Sequence, residues 1–160
     1  MPKTAFSYNQ EAMRLLLVNG PNLNRLGSRS VTVYGTTTLP EIVQAVRDHL
    51  ANAGHDVLDF QSNHEGALID WLQEHSASAH GVLVNPGALA HYSIALRDAL
   101  EDTKLPVVEV HISDVMAREP FRHTLLTATA ANATVTGKGW QGYLEGADIL
   151  ISLISEGTTP

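Results

Sequence analysis

Leu15-Leu16-Leu17-Val18 is a short, wholly apolar run that stops at Asn19-Gly20-Pro21, the pattern of a strand buried on both faces. Asp56–Phe60, Gly81–Val84 and Pro106–His111 repeat it, and Ala133–Thr136 is a weaker fifth. Between these runs the apolar positions switch to helical spacing. Leu39, Ile42, Val43, Val46 and Leu50 form one stripe, opened by the capping box Thr38-Leu39-Pro40-Glu41 with proline inside the first turn, and ended by Gly54. Ser62 and Glu65 have the spacing of a second capping box, ahead of Leu68, Ile69, Trp71 and Leu72. Ser93–Leu100 reads as a further helix. Trp140–Ile154 closes the chain with Tyr143, Leu144, Ala147, Leu150, Ile151 and Ile154 on its apolar side.

Strands too apolar to face water, alternating with amphipathic helices, predict an α/β fold: a three-layer sandwich with a parallel sheet between helices. Five strands suggest the flavodoxin-like order 2-1-3-4-5, in which ligands bind beyond the carboxyl ends of the strands near the switch between strands 1 and 3. The loops that matter are then Asn19–Gly35, Asn85–His91 and His111–Arg122, and all three are rich in polar and charged residues. The first is anomalous. It runs with no clear period where connections of about 2 to 6 residues are usual. Residues 1–13, polar and aperiodic, read as a flexible extension; residues 14–154 form a single domain and 155–160 a tail.

Composition narrows the function. At 160 residues the chain supports one domain with a real core. It has no apolar run of membrane-spanning length and no apolar stretch of signal-peptide length at its start, so a cytoplasmic protein is expected. A net charge of −7 argues against nonspecific nucleic-acid binding, yet leaves room for a local cationic pocket. Without cysteine there are no disulfides or thiolate ligands. None of the eight histidines sits in H-x-H or H-E-x-x-H, so no metal site is expected. Gly20, Gly27 and Gly35 match neither G-x-G-x-x-G nor G-x-x-x-x-G-K-[ST], so neither is a nucleotide or flavin site.

Acid–base chemistry remains. The three loops would bring Asn22, Arg29 and Tyr34 together with Asn85, His91, Glu109, His111, Ser113, Arg118 and Arg122. Singly, each has an ordinary role as a turn residue or a surface ion pair; their convergence on one strand-end crevice favours function.

These residues carry a family resemblance. Asn19-Gly-Pro-Asn-Leu-Asn24 with Leu26-Gly27, Arg29 and Tyr34-Gly35 resembles the signature of the type II dehydroquinases (3-dehydroquinate dehydratases). So do Ser62-Asn-His-Glu-Gly66 with Leu68-Ile-Asp70, Asn85-Pro-Gly-Ala88 with His91 and Ala95–Leu100, Val108–Ser113 with Ala117–Arg122, and Gly139-x-x-Gly142-Tyr143-Leu144. The resemblance spans about Arg14 to Ile154, in five ordered blocks.

It implies a dehydration without cofactor or metal. A base removes a proton from C2 of 3-dehydroquinate, an enolate forms, and an acid assists loss of the C1 hydroxyl to give 3-dehydroshikimate and water. By the family pattern Tyr34 is the base and His111 the acid. A phenol ionises near pH 10, so a phenolate base at neutral pH needs cations beside it, supplied by Arg29 and Arg118. Asn22 helps hold the enolate oxygen through a water, and Glu109, on the same strand face as His111, orients the imidazole. Asn85, His91 and Arg122 grip the ring hydroxyls, and the Ile112-Ser113 backbone receives the carboxylate. Asp98 resembles a residue that reaches a neighbouring subunit's site, in keeping with the family's homododecamer, a tetramer of trimers. The long first loop becomes an active-site lid carrying Arg29 and Tyr34. An imine mechanism is disfavoured independently, because Lys3, Lys104 and Lys138 all lie off the core strands.

The chain departs from the usual pattern at Arg25, Leu89-Ala90, Tyr92, Asp114, Met116 and Thr124–Ala130. Asp114 adds negative charge next to the expected carboxylate site. Two rival readings follow: a noncatalytic or substrate-shifted paralogue that binds a related cyclic hydroxy acid, and a flavin carrier.

Overall fold

The computed structural model describes residues 11–157. Its sheet contains β1 (Arg14–Asn19), β2 (Asp56–Gln61), β3 (Gly81–Asn85), β4 (Val107–His111) and β5 (Ala133–Thr136), in the order β2-β1-β3-β4-β5 with every neighbouring pair parallel. The helices are α1 (Val31–Tyr34), α2 (Leu39–Asn52), α3 (Glu65–His75), α4 (Ile94–Asp102) and α5 (Gly142–Ser155). The expected flavodoxin-like arrangement is the observed one. Of the expected extension, residues 1–10 lie outside the described residues, as do residues 158–160 of the tail.

Because strand side chains alternate between faces, the sheet builds two cores. Leu15 and Leu17 of β1, Leu83 of β3 and Val108 and Val110 of β4 pack with Ile42, Val46 and Leu50 of α2 and with Tyr143, Ala147 and Leu150 of α5. Leu16, Val18, Val82, Val84 and Val107 pack on the other face with Leu68 and Leu72 of α3 and Leu96 and Leu100 of α4. The same parity sorts the polar strand ends. Asn19 and Asn85 share the face of α5, while Glu109 and His111 share the face of α4.

Helix α2 starts as its sequence demands: the Thr38 side chain accepts from the Glu41 N–H, and Glu41 reaches back to the Thr38 N–H at 2.8 Å. The second capping box is not formed. Helix α3 begins with Glu65 in its first position rather than its third, so the Glu65 carboxylate is free for the Ser93 hydroxyl, and Ser62 Oγ accepts from the His64 N–H instead. Ser93 in turn caps α4 by accepting from the Leu96 N–H. The loop after β1 is not aperiodic throughout. It holds a 3-10 turn at Leu23–Arg25 and the single turn α1, both too short to show a hydrophobic period. Leu23 and Leu26 are buried in the α2/α5 core and pin it.

The ends of β1 and β3 meet closely. The Gly20 N–H donates to the Asn85 carbonyl at 2.8 Å, and a Cβ on Gly20 would stand 2.2 Å from the Pro86 carbonyl oxygen. Gly66, by contrast, faces open space on α3. Gly20→Ala should therefore destabilise the fold by about 1–3 kcal/mol through overpacking against backbone, whereas Gly66→Ala should be neutral or stabilise it by up to about 1 kcal/mol through helix propensity. Urea unfolding of the two variants measures both.

Candidate active site

A cleft opens beyond the carboxyl ends of β1, β3 and β4, the place where ligands bind in open parallel sheets. Ten residues singled out in the sequence line it: Asn22, Arg29, Tyr34, Asn85, His91, His111, Ile112, Ser113, Arg118 and Arg122. Glu109 lies beneath the floor. Asp98 does not line the cleft; it sits exposed on α4, 2.9 Å from Arg97 Nη1.

Tyr34, at the end of α1, points its ring between two guanidiniums. Arg118 Nη1 donates to the phenolic oxygen at 2.8 Å, the Arg118 guanidinium carbon lies 5.3 Å from the ring centre, and that of Arg29 lies 5.1 Å from it. Positive charge is thus concentrated at the oxygen that would carry a phenolate's charge. Arg118 Nη1 also reaches Ser113 Oγ at 3.3 Å. Arg122 is held by Glu119, whose carboxylate lies 2.8 Å from its Nε. A backbone N–H and then Arg122 keep the Glu119 carboxyl below its ordinary range. Three guanidiniums around one cleft, in a chain of net charge −7, mark a site for an anion.

Opposite stands His111, 5% exposed, with Nε2 3.2 Å from Glu109 Oε2. The pair is close but out of hydrogen-bond alignment, and neither atom has another partner among the described residues. Glu109 is fully buried, and its second oxygen accepts from the Thr127 hydroxyl. With Nε2 turned inward, the other ring nitrogen of His111 is the one left to meet the cleft. His91 is set by different means: its Nδ1 lies 2.9 Å from the Thr124 carbonyl, which can only accept, so Nδ1 carries a proton and Nε2 is free for a ligand.

Asn85 is fixed by a network running to α5. Its Nδ2 donates to the Tyr143 hydroxyl at 2.8 Å, Tyr143 donates to Asn19 Oδ1 at 2.7 Å, and Asn85 Oδ1 accepts from the Gly87 N–H. Burial pushes the Tyr143 hydroxyl well above the ordinary tyrosine range, partly offset by Asn85, so it remains a protonated bridge. Asn22 adopts a left-handed backbone, and its N–H donates to Asn63 Oδ1 at 2.9 Å.

Sequence reasoning missed Asn19, Asn63, Thr127 and Tyr143 as supports. Asn63 and Tyr143 lie within motif blocks, but Thr127 had no local signal. The departures are placed mostly away from the cleft. Leu89 is buried in the α3/α4 core, Ala90 is buried, and Tyr92, Met116 and Arg25 are exposed. Asp114 turns back to accept from the Met116 N–H at 3.1 Å and lines a neighbouring groove, separated from the cleft by Tyr34 and Arg118. No lysine lines the cleft. Among the described residues no cluster of three or more His, Asp or Glu could hold a metal ion.

The family model described as "Dehydroquinase class II" matches residues 13–151. The chain is 49% identical over 145 residues to a 3-dehydroquinate dehydratase from Roseiflexus castenholzii, covering 91% of this chain and 92% of that one. It is 46% identical over 129 residues to a catabolic 3-dehydroquinase from Aspergillus clavatus, covering 81% and 86%. Among solved structures, the type II dehydroquinase from Butyrivibrio crossotus superposes with a TM-score of 0.85 at 41% identity, covering 87% of this chain and 97% of that one.

Tyr143→Phe removes a hydroxyl that is fully buried between two amides. It should cost about 1–3 kcal/mol by leaving Asn19 Oδ1 and Asn85 Nδ2 unpaired, read as a lower urea midpoint with an unchanged denaturant slope.

Proposed function

The chain belongs to the class II dehydroquinases, and we propose on that premise that it is a 3-dehydroquinate dehydratase acting through an enolate. The observation that carries this reading is the Tyr34 phenol held by Arg118 at 2.8 Å with Arg29 over its ring, in the cleft that His111 also lines.

Tyr34, as phenolate, takes the proton from C2 next to the ketone. The guanidiniums of Arg29 and Arg118 stand where a phenolate's charge would be stabilised. Charge then moves onto the substrate oxygen, where Asn22 and a bridging water receive it; such stabilisation acts where charge develops and so lowers the barrier. His111, with the buried Glu109 carboxylate 3.2 Å from its Nε2, gives a proton to the departing C1 hydroxyl, which leaves as water. Asn85, His91 and Arg122 hold the ring hydroxyls, with Asn85 oriented by Tyr143. The Ile112-Ser113 backbone takes the carboxylate. Its carbonyls already accept from Gly139 and Gly137, at 3.1 Å each, which fixes the turn. The Asp114 charge does not oppose the carboxylate directly, because that side chain caps its own turn. In a homododecamer, Asp98 on the exposed face of α4 is available to a neighbouring subunit's cleft. The loop from Asn19 to Gly35 serves as the lid, bending at Gly27 and Gly35, both at positive φ. A cytoplasmic location accords with this reaction, and none of the described helices is long and apolar enough to cross a membrane.

Turnover of 3-dehydroquinate, followed by the ultraviolet absorbance of the conjugated enone product, tests the reading. Activity should survive chelator and borohydride pretreatment. Tyr34→Phe should lower kcat by about 10²- to 10⁴-fold, the range for a lost acid–base group. A folded protein with no turnover, or a Tyr34→Phe variant with full kcat, would overturn it; the first result would favour a binder of related cyclic acids.

A further inference from the structure

The segment Thr124–Ala130, one of those unlike the family's usual pattern, touches His91 directly and reaches His111 through Glu109. The Thr124 carbonyl holds His91 Nδ1 at 2.9 Å, and the Leu126 N–H donates to the Ala90 carbonyl at 2.7 Å, next to His91. The Thr127 hydroxyl meets Glu109 Oε1, and Glu109 Oε2 lies 3.2 Å from His111 Nε2. Thr127 is fully buried at the start of a 3-10 turn (Thr127–Ala130) and spends its hydroxyl on that one carboxylate.

We infer that Thr127 is a positioning residue for the proton-donating histidine: its hydroxyl holds the Glu109 carboxylate against the imidazole, as the counter-charge His111 needs when it carries a proton. The inference rests on the proposed role of His111. A carboxylate with no exposure keeps its charge only when its oxygens have donors. Glu109 has two candidates, and the His111 contact is poorly aligned, so the Thr127 hydroxyl is the one settled donor. Without it, Glu109 takes up a proton more readily and turns freely about its last torsion, and the imidazolium loses its counter-charge. The other charged and titratable groups around His111 are Arg29 and Tyr34 from the first loop, His91 after β3, and Arg118 and Arg122 after β4. Glu119 lies 2.8 Å from Arg122 and 3.8 Å from Arg118, whereas the carboxylate beside His111 itself is Glu109, the one that Thr127 supports.

The test compares Thr127→Val and Thr127→Ala, which lack the hydroxyl, with Thr127→Ser, which keeps it. Two readouts are used: the pH profile of kcat, and the His111 titration by ¹⁵N NMR of the imidazole. Losing the hydroxyl should move the alkaline limb of kcat, and the His111 midpoint, at least half a unit lower, with KM changed less than twofold. Thr127→Ser should restore both. In a Glu109→Gln background, Thr127→Val should have no further effect. The inference fails if the limb and midpoint stay put or move up, if kcat falls equally at all pH values, or if Thr127→Val adds to Glu109→Gln. The NMR titration decides the matter even if the wild-type protein shows no turnover, so this inference and the proposed reaction fail separately.

Discussion

A carboxylate with no solvent exposure is the most demanding group in this fold. Moving such a charge out of water costs several kcal/mol even after the protein relaxes, so Glu109 constrains everything around it. It lies on β4 because a strand places residues two apart on one face, which sets His111 beside it. It requires Thr127 at its other oxygen, so residues 124–130 must lie against β4 and α4. That segment then reaches His91, which belongs to a different loop. One buried charge thus couples the end of β4, the loop after β3 and the chain leading into β5.

The opposite face of the sheet meets its polar ends differently. Asn19 and Asn85, neighbours in register on β1 and β3, are joined by the Tyr143 hydroxyl from α5. These groups are neutral, so burying them costs less, and hydrogen bonds satisfy most of their atoms; Asn19 Nδ2 is the exception. The result is an amide fixed at the cleft on one side and the buried Glu109–His111 pair on the other.

How much of this was legible depended on the range of the signal. The strands were legible as continuous apolar runs and the helices as period 3.6 stripes, both written locally along each element, and the strand order came from the flavodoxin-like arrangement that five such units suggest. The Thr38 box was read correctly because its proline and Glu41 fix the helix start. The Ser62–Glu65 spacing misled because α3 starts later, and Glu65 is taken by Ser93, 28 residues away in sequence. Helix α1 is one turn long, too short for any period to appear. The cleft residues were legible as types gathered at three loops, and the resemblance assigned roles to them. Their supports were not. Tyr143 bonds Asn19 across 124 positions, and Thr127 bonds Glu109 across 18. Pairings of that kind exist only once the sheet has assembled.

Among the described tyrosines, the environment separates the proposed base from the other two. Tyr143 is fully buried, donates to Asn19 and has its ionisation pushed up by desolvation, with no cation among its hydrogen-bond partners. Tyr92 is 66% exposed and does not line the cleft. Tyr34 is half-buried, faces the cleft and receives a hydrogen bond from one guanidinium while a second lies over its ring. The aromatic face attracts a cation, but the oxygen contact matters more, since an N–H···O bond to a phenolate strengthens as charge gathers there. Arg118 therefore has two tasks. On the proposed mechanism it activates the base, and through Ser113 Oγ it ties that base to the turn on which the proposed carboxylate site is built. A lid that carries Tyr34 away from Arg118 would disarm the phenol at the same time as it opened the cleft, so on the proposed mechanism closure and activation are one event.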